Sequence, residues 1–142
     1  MAFYNRRKLE LEATLEQLED AKSRVRELES DFQAVEQAAA IIIMSQDGII
    51  ERVSDLFLDM LGYERNQLIG QHHRCFCGSD YAKSEDYIKF WRQLVAGRVK
   101  AGSYPAVHLN GNPVHLSARY SPVINDNGVV GKVIGFISNV DQ

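Results

Sequence analysis

The stretch GQHHRCFCGSD, residues 70–80, places His72, His73, Cys75 and Cys77 within one short segment. These are side chains that ligate metals, attack carbonyls or anchor cofactors, so the spacing decides between them. A structural zinc site takes four ligands, usually in two spaced Cys or His pairs. No second pair follows this one, which argues against a metal centre. A nucleophilic thiol needs an activating base and an oxyanion donor, yet neither a protease-like signature nor a glycine-rich phosphate loop occurs; no enzymatic activity is expected. The C-x-x-C-H attachment of a c-type haem is absent, because one residue separates Cys75 from Cys77 and Gly78 comes next. The same C-x-C spacing is too tight for an easy disulfide. Without a special context, His72 and His73 read as polar or capping residues. Cys75 and Cys77 read as small buried hydrophobes, and Trp91 as a core residue on its helix stripe.

The whole chain bounds that context. Its 142 residues leave room for about one domain by a prior of roughly 100–200 residues each. A formal net charge of −3 argues against nucleic acid or an anionic membrane as the main partner, since both reward clustered Lys and Arg. The longest apolar run, AAAIIIM at residues 38–44, is far short of the ~20 residues that span a bilayer. No signal peptide is visible. A cytoplasmic chain without membrane contact in this stretch is expected, and two cysteines suit a reducing compartment.

The elements that must position the cluster fall into two zones. Residues 1–39 contain the run YNRRKLELEATLEQLEDAKSRVRELESDFQAVEQAAA, free of Gly and Pro and rich in strong helix formers. Tyr4, Leu11, Leu18, Val25 and Phe32 repeat every seven residues, and Thr14, Ala21, Leu28 and Val35 form the row three positions on, the a/d seam of a coiled coil. A helix of ~40 residues would reach about 60 Å, longer than a domain of ~100 residues is wide. Pairing with a second copy in a homodimer is therefore expected, the alternative being an amphipathic helix folded back on its own domain.

Residues 40–142 change character. IIIMS and IIERV read as strands joined by a turn at QDG. Ser54 is an N-cap for DLFLDMLGY and Gly62 a stop, with Phe57, Met60 and Leu61 on one apolar face. In SEDYIKFWRQLVAG, Ser84 caps, Glu85 and Asp86 suit the positive end, Gly97 terminates, and Tyr87, Ile88, Trp91, Leu94 and Val95 make the buried stripe. The period then switches to two in SYPAVHLN, PVHLSARYSPVI and GVVGKVIGFISNV, separated by GN and NDNG turns. On the second of these strands His115, Ser117, Arg119 and Ser121 share a face opposite Val114, Leu116, Ala118 and Tyr120. This order predicts an α+β domain, a five-stranded antiparallel sheet with helices on one face, preceded by the long coiled-coil helix.

The run DGIIERVSDLFLDMLGYERNQLIGQ, followed by FWRQLVAG, NGNPVHLSARYSPVINDNGVVGKVIGF and the closing NVD, resembles a PAS sensor domain over about 100 residues, from Ile41 to Gln142. With its HHRCFC, FW and YSP motifs it resembles most the PAS domains of bacterial chemoreceptors and aerotaxis transducers, methyl-accepting chemotaxis proteins in which a PAS unit precedes a long helical signalling region. The resemblance implies a cavity between the sheet and the helices from Leu56 to Leu94, with His73 in its wall. It makes His73 the candidate haem b ligand and therefore the one conditional metal position, and places His73 and Trp91 as candidate cofactor-binding residues. FAD held without an adduct is the second cofactor it implies. An Arg-His pair of the aerotaxis transducers, however, is replaced here by approximately Cys77-Gly78. A light-driven thiol adduct of the LOV type does not fit: its Cys position, three residues after Gly70, is His73, and the flavin-contacting Gln falls at Ile137, which has no hydrogen-bonding group. The resulting expectation is a sensory module that relays ligand or redox state through dimeric helices to downstream signalling helices, with Asp141 matching the first position of the family's Asp-x-Thr exit motif. The alternative is a docking or dimerisation module without a ligand.

Overall fold

A computed structural model of the chain describes residues 1–141. It divides into two compact units, residues 1–35 and the residues from Glu36 onward. The first consists of helix α1, Ala2–Ala38, up to Val35, the last residues of the helix belonging to the second; the helix is uninterrupted as its composition demands, with no buried residue along its length. Leu11, Leu18, Val25, Leu28 and Val35 of the heptad rows are all exposed. The helix ends where the sequence turns to the β-branched run after Ala39. Among the described residues no helix is long and apolar enough to cross a membrane.

The second unit is the expected α+β arrangement. Strands β1 (Ala40–Ser45), β2 (Ile50–Val53), β3 (Lys100–Val107), β4 (Pro113–Ile124) and β5 (Val130–Asp141) form one antiparallel sheet in the order β2-β1-β5-β4-β3. Between β2 and β3 lie α2 (Asp55–Leu61), α3 (Arg65–Leu68), a single 3-10 turn (His73–Phe76), α4 (Ser79–Ala82) and α5 (Glu85–Val95). Local chemistry sets the boundaries. Ser54 Oγ accepts from the Phe57 and Ile41 amides, so one buried hydroxyl caps α2 and closes β1. Gly62 ends α2 with a φ of 80°, which a side chain would strain. Ser84 Oγ accepts from the Tyr87 amide at the start of α5. Tyr63 donates to the Val107 carbonyl at 2.7 Å and ties the end of α2 to β3.

The core sits between the inner sheet face and the helices. Along β4 burial alternates, with Val114, Leu116, Ala118 and Tyr120 inside and His115 and Arg119 exposed, as the period-two reading requires. On α5 the inward residues are Tyr87, Phe90 and Leu94. Ile88 and Val95, expected on the buried stripe, are exposed, and Phe90 takes the inward place. Positions 87, 90 and 94 follow the i, i+3, i+7 geometry of a single helix face, whereas 88 and 95 lie one row to its side. Each large side chain fully withdrawn from water, such as Phe57, Phe76 or Leu94, contributes about 1.5–3 kcal/mol.

Candidate functional site

The HHRCFC segment is held from outside by backbone pairing. Between β1 and β2 the Gln46–Asp47–Gly48 turn lays its edge against residues 70–73. The amide of Ile50 donates to the Gln71 carbonyl, that of Gly70 to the Ile50 carbonyl and that of His73 to the Gly48 carbonyl, each at 2.8 Å. Gly48 has a φ of 82°, and a Cβ there would stand 2.5 Å from His72 Nε2, so the glycine is needed both for the turn and for the imidazole packed on it. His72 caps the 3-10 turn, its Nδ1 accepting from the Arg74 amide at 3.0 Å. Partial burial and the Arg74 charge lower its pKa.

This pairing drives the next residue inward. His73 is only 2% exposed, and both ring nitrogens are engaged. Nδ1 lies 2.9 Å from the Tyr87 hydroxyl on α5, and Nε2 lies 3.0 Å from the Tyr120 hydroxyl on β4. A neutral imidazole carries one donor and one acceptor, so one tyrosine accepts from the ring and the other donates to it. Cys77 completes the polar group. Its Sγ is 3.3 Å from Nδ1, and its thiol donates to the His73 carbonyl one turn back. Aromatic rings enclose the imidazole: Phe76 meets it edge-on at 4.8 Å between centroids, Tyr120 at 5.5 Å and Trp91 at 5.7 Å, while Phe90 lies nearly parallel at 5.9 Å.

Electrostatics follows from burial. Desolvation holds the His73 pKa down at about 3, with His72 adding to the effect, so the ring is neutral at physiological pH. Burial likewise pushes the Cys77 thiol and the Tyr87 and Tyr120 hydroxyls upward. A thiol so held is protonated and a poor nucleophile. Cys75, expected to be a small buried residue, is instead exposed on the outward side of the 3-10 turn, while Cys77 is buried as expected.

Two expectations need correction. The cavity placed between the sheet and the helices is filled at His73 by Phe57, Phe76, Tyr87, Phe90 and Tyr120. As a haem ligand His73 does not fit this packing: neither nitrogen is open, because tyrosine hydroxyls occupy both directions in which an iron would bind. Flavin meets a buried, apolar Ile137 on β5. No step is therefore routed through either group. Trp91, the second candidate, is one of the rings enclosing His73 and is half-buried. Its Nε1 is buried and makes no hydrogen bond. Among the described residues no three His, Cys, Asp or Glu side chains converge as a metal-binding group would.

Sequence reasoning found His73 and missed its partners. Tyr87 and Tyr120 were legible only as inward-facing residues of α5 and β4. The signal available was that an inward tyrosine needs a hydrogen-bond partner for its hydroxyl, and His73 was the nearest unassigned polar residue in the helical middle.

The sequence profile of the PAS domain matches residues 38–142. Biofilm dispersion protein BdlA of Pseudomonas aeruginosa is 36% identical over 116 residues, which are 82% of this chain and 28% of that protein, so the chain spans little more than a quarter of its relative. Among solved structures, the light state of the blue-light photoreceptor Aureochrome1 LOV is similar with a TM-score of 0.64 at 18% identity, over 78% of this chain and 88% of that one. The Rhodobacter sphaeroides LOV protein is similar with a TM-score of 0.63 at 17% identity, over 70% of this chain and 58% of that one. These two likenesses concern the fold, which here houses a histidine at the adduct position. With the five-stranded sheet, the helical layer and the profile match in agreement, the chain belongs to the PAS domain family.

Proposed function

We propose that this PAS domain is the sensory unit of a bacterial signal-transduction protein of chemoreceptor type, working as a cytoplasmic homodimer and relaying a bound state through helices, without catalysing a reaction. One observation carries the reading. His73 joins α5 to β4 through Tyr87 and Tyr120, so a displacement of the helical layer is felt by the sheet through two hydrogen bonds. At the edge of the sheet Arg52 on β2 binds the Glu36 carboxylate within the same compact unit, with Nε 3.0 Å from Oε2. The similarity to a protein named for biofilm dispersion supports a role in bacterial behaviour. The suppressed acidity of the Cys77 thiol supports binding over catalysis, and the two free thiols suit a reducing compartment.

Dimerisation follows from α1, whose heptad rows present Leu11, Leu18, Val25 and Leu28 to water. An apolar seam of that length is stabilised by pairing with a second helix. The test is the solution mass of the full chain by multi-angle light scattering. A mass twice the 16.1 kDa of the chain is expected, falling to the single value when Leu18 and Leu28 are replaced by Glu. A monomeric unsubstituted chain at tens of micromolar would remove the paired helix from the scheme.

A further inference from the structure

Outside the packed core, a cleft of about 440 Å³ lies between the β1–β2 turn and α5, bounded by Asp47, His72, Arg74, Lys83, Tyr87, Ile88 and Trp91 among others. Its size falls in the range of small-molecule sites. Its chemistry is divided. Part of the wall is aromatic and aliphatic: the His72 and Trp91 rings are tilted at 59° with centroids 5.9 Å apart, Tyr87 meets His72 edge-on at 6.4 Å, and Ile88 is an aliphatic residue that the fold leaves exposed. Arg74 and Lys83 are exposed on the rim and form no ion pair with Asp47 or any other described carboxylate. The cleft on the other flank of α5 differs, since its Lys100 ammonium is already bonded to Gln93 Oε1.

The geometry points to a binding site for a small organic anion that joins a flat apolar body to a carboxylate, held by Arg74 and Lys83 at its charged end and by Trp91, Tyr87 and Ile88 along its body. This deepens the sensor reading and rests on it. Guanidinium and ammonium groups bind carboxylates through charge-assisted hydrogen bonds, and an apolar ring on the indole face supplies area that a bare inorganic anion lacks. Asp47 faces the same cleft and sets the orientation, repelling the carboxylate toward Arg74 and Lys83. The position also explains how occupancy would reach the core. Trp91 and Tyr87, one turn apart on α5, both line the cleft and both meet the His73 ring, at 5.7 and 5.8 Å between centroids. A ligand pressing on the indole is therefore one side chain away from the bond that Tyr87 makes to His73.

The chain has a single tryptophan, so the indole N–H of a nitrogen-15-labelled full chain gives one assignable resonance. Benzoate is the probe and benzamide its neutral isostere. The expected result is a saturable shift of the indole resonance with benzoate, with half-saturation at about 1 mM or below. Arg74→Gln and Lys83→Gln should each weaken it by about tenfold, since each removes one charge-assisted contact. Benzamide should bind at least about tenfold more weakly for the same reason, and Arg119→Gln, on the exposed face of β4, should leave the titration unchanged. No saturable shift, or equal shifts from benzoate and benzamide, overturns the anion site. Loss of binding that is as large for Arg119→Gln as for Arg74→Gln overturns it too, by exposing a response to net charge alone. These failures are distinct from that of the paired helix, which is decided by the solution mass of the chain.

Discussion

Replacing His73 by Leu removes a neutral ring that two tyrosine hydroxyls depend on, and its cost should change with pH in a direction fixed by burial. At pH 7 the variant leaves the Tyr87 and Tyr120 hydroxyls buried without their partner. Each such orphan costs about 1–3 kcal/mol, so a loss of about 2–6 kcal/mol is expected. Acidification then separates the two proteins. The folded pKa of His73 is about 3, below the usual 6.5. Between these values the unfolded chain binds a proton that the folded chain refuses, so stability falls as pH falls. The contribution is intact above pH 6.5, declines by about 1.4 kcal/mol per pH unit below it, and levels off near the folded value. From pH 7 to pH 5 His73 alone should therefore cost the wild type about 2 kcal/mol, a cost the Leu variant does not bear. The gap between the two should narrow by that amount. His72, whose pKa is also lowered, acts with the same sign but is present in both chains. The assay is urea unfolding at pH 7, 6 and 5, followed by the emission of Trp91 at one fixed protein concentration, which removes any contribution of self-association from the comparison. A gap that stays constant across the three pH values would show that His73 titrates alike in folded and unfolded chains, and the buried clamp would be wrong.

Two further substitutions probe the surroundings of that clamp. Gly135→Ala would place a Cβ 2.8 Å from Ile42 Cγ2 and 2.8 Å from Tyr120 Cε1, so the tyrosine ring must shift. A loss of about 1–3 kcal/mol in urea unfolding is expected, and a neutral result would mean that the ring has room to spare. Ser54→Ala removes the α2 cap and strands the Ile41 amide, which bonds Ser54 Oγ at 2.8 Å. It should cost about 2 kcal/mol, whereas Ser54→Thr should recover part of that if the hydroxyl is what matters.

The sheet was legible because alternation is enforced by the pleat. Val114, Leu116, Ala118 and Tyr120 could be assigned to one face from spacing alone, and the two caps could be named because Ser54 and Ser84 precede apolar helical repeats. The short pieces between Leu61 and Ser84 were not separable. A four-residue helix such as α3 or the 3-10 turn at His73 has too few positions to display a period. On α5 the stripe was read one row off because Ile88 and Val95 are as apolar as the residues beside them, and only the sheet opposite decides which row is covered. The site was legible in one residue and hidden in its relations. His73 stood out by type, but its bonds to Tyr87 and Tyr120 span 14 and 47 positions, and no local pattern reports contacts at that separation.

A polar clamp at the centre of an apolar core is a costly way to hold two layers together if stability is the only aim, since apolar groups of matching shape would serve as well. Its energy scale suits a switch better. Each of the two hydrogen bonds is worth about 0.5–1.5 kcal/mol net, so an arrangement of α5 against β4 that breaks both lies only a few kcal/mol above the packed one. A ligand binding at about 1 mM has about 4 kcal/mol of binding free energy in total, and only the part that differs between the two arrangements shifts their populations. A cleft walled by Trp91 and Tyr87 can supply such a difference, because the residue whose hydroxyl would have to move itself lines the cleft. The contacts to Arg74 and Lys83 shift the populations only by as much as they too differ between the two arrangements. The contacts with Trp91 and Tyr87 are the part of the interaction that lies nearest to the bonds at His73.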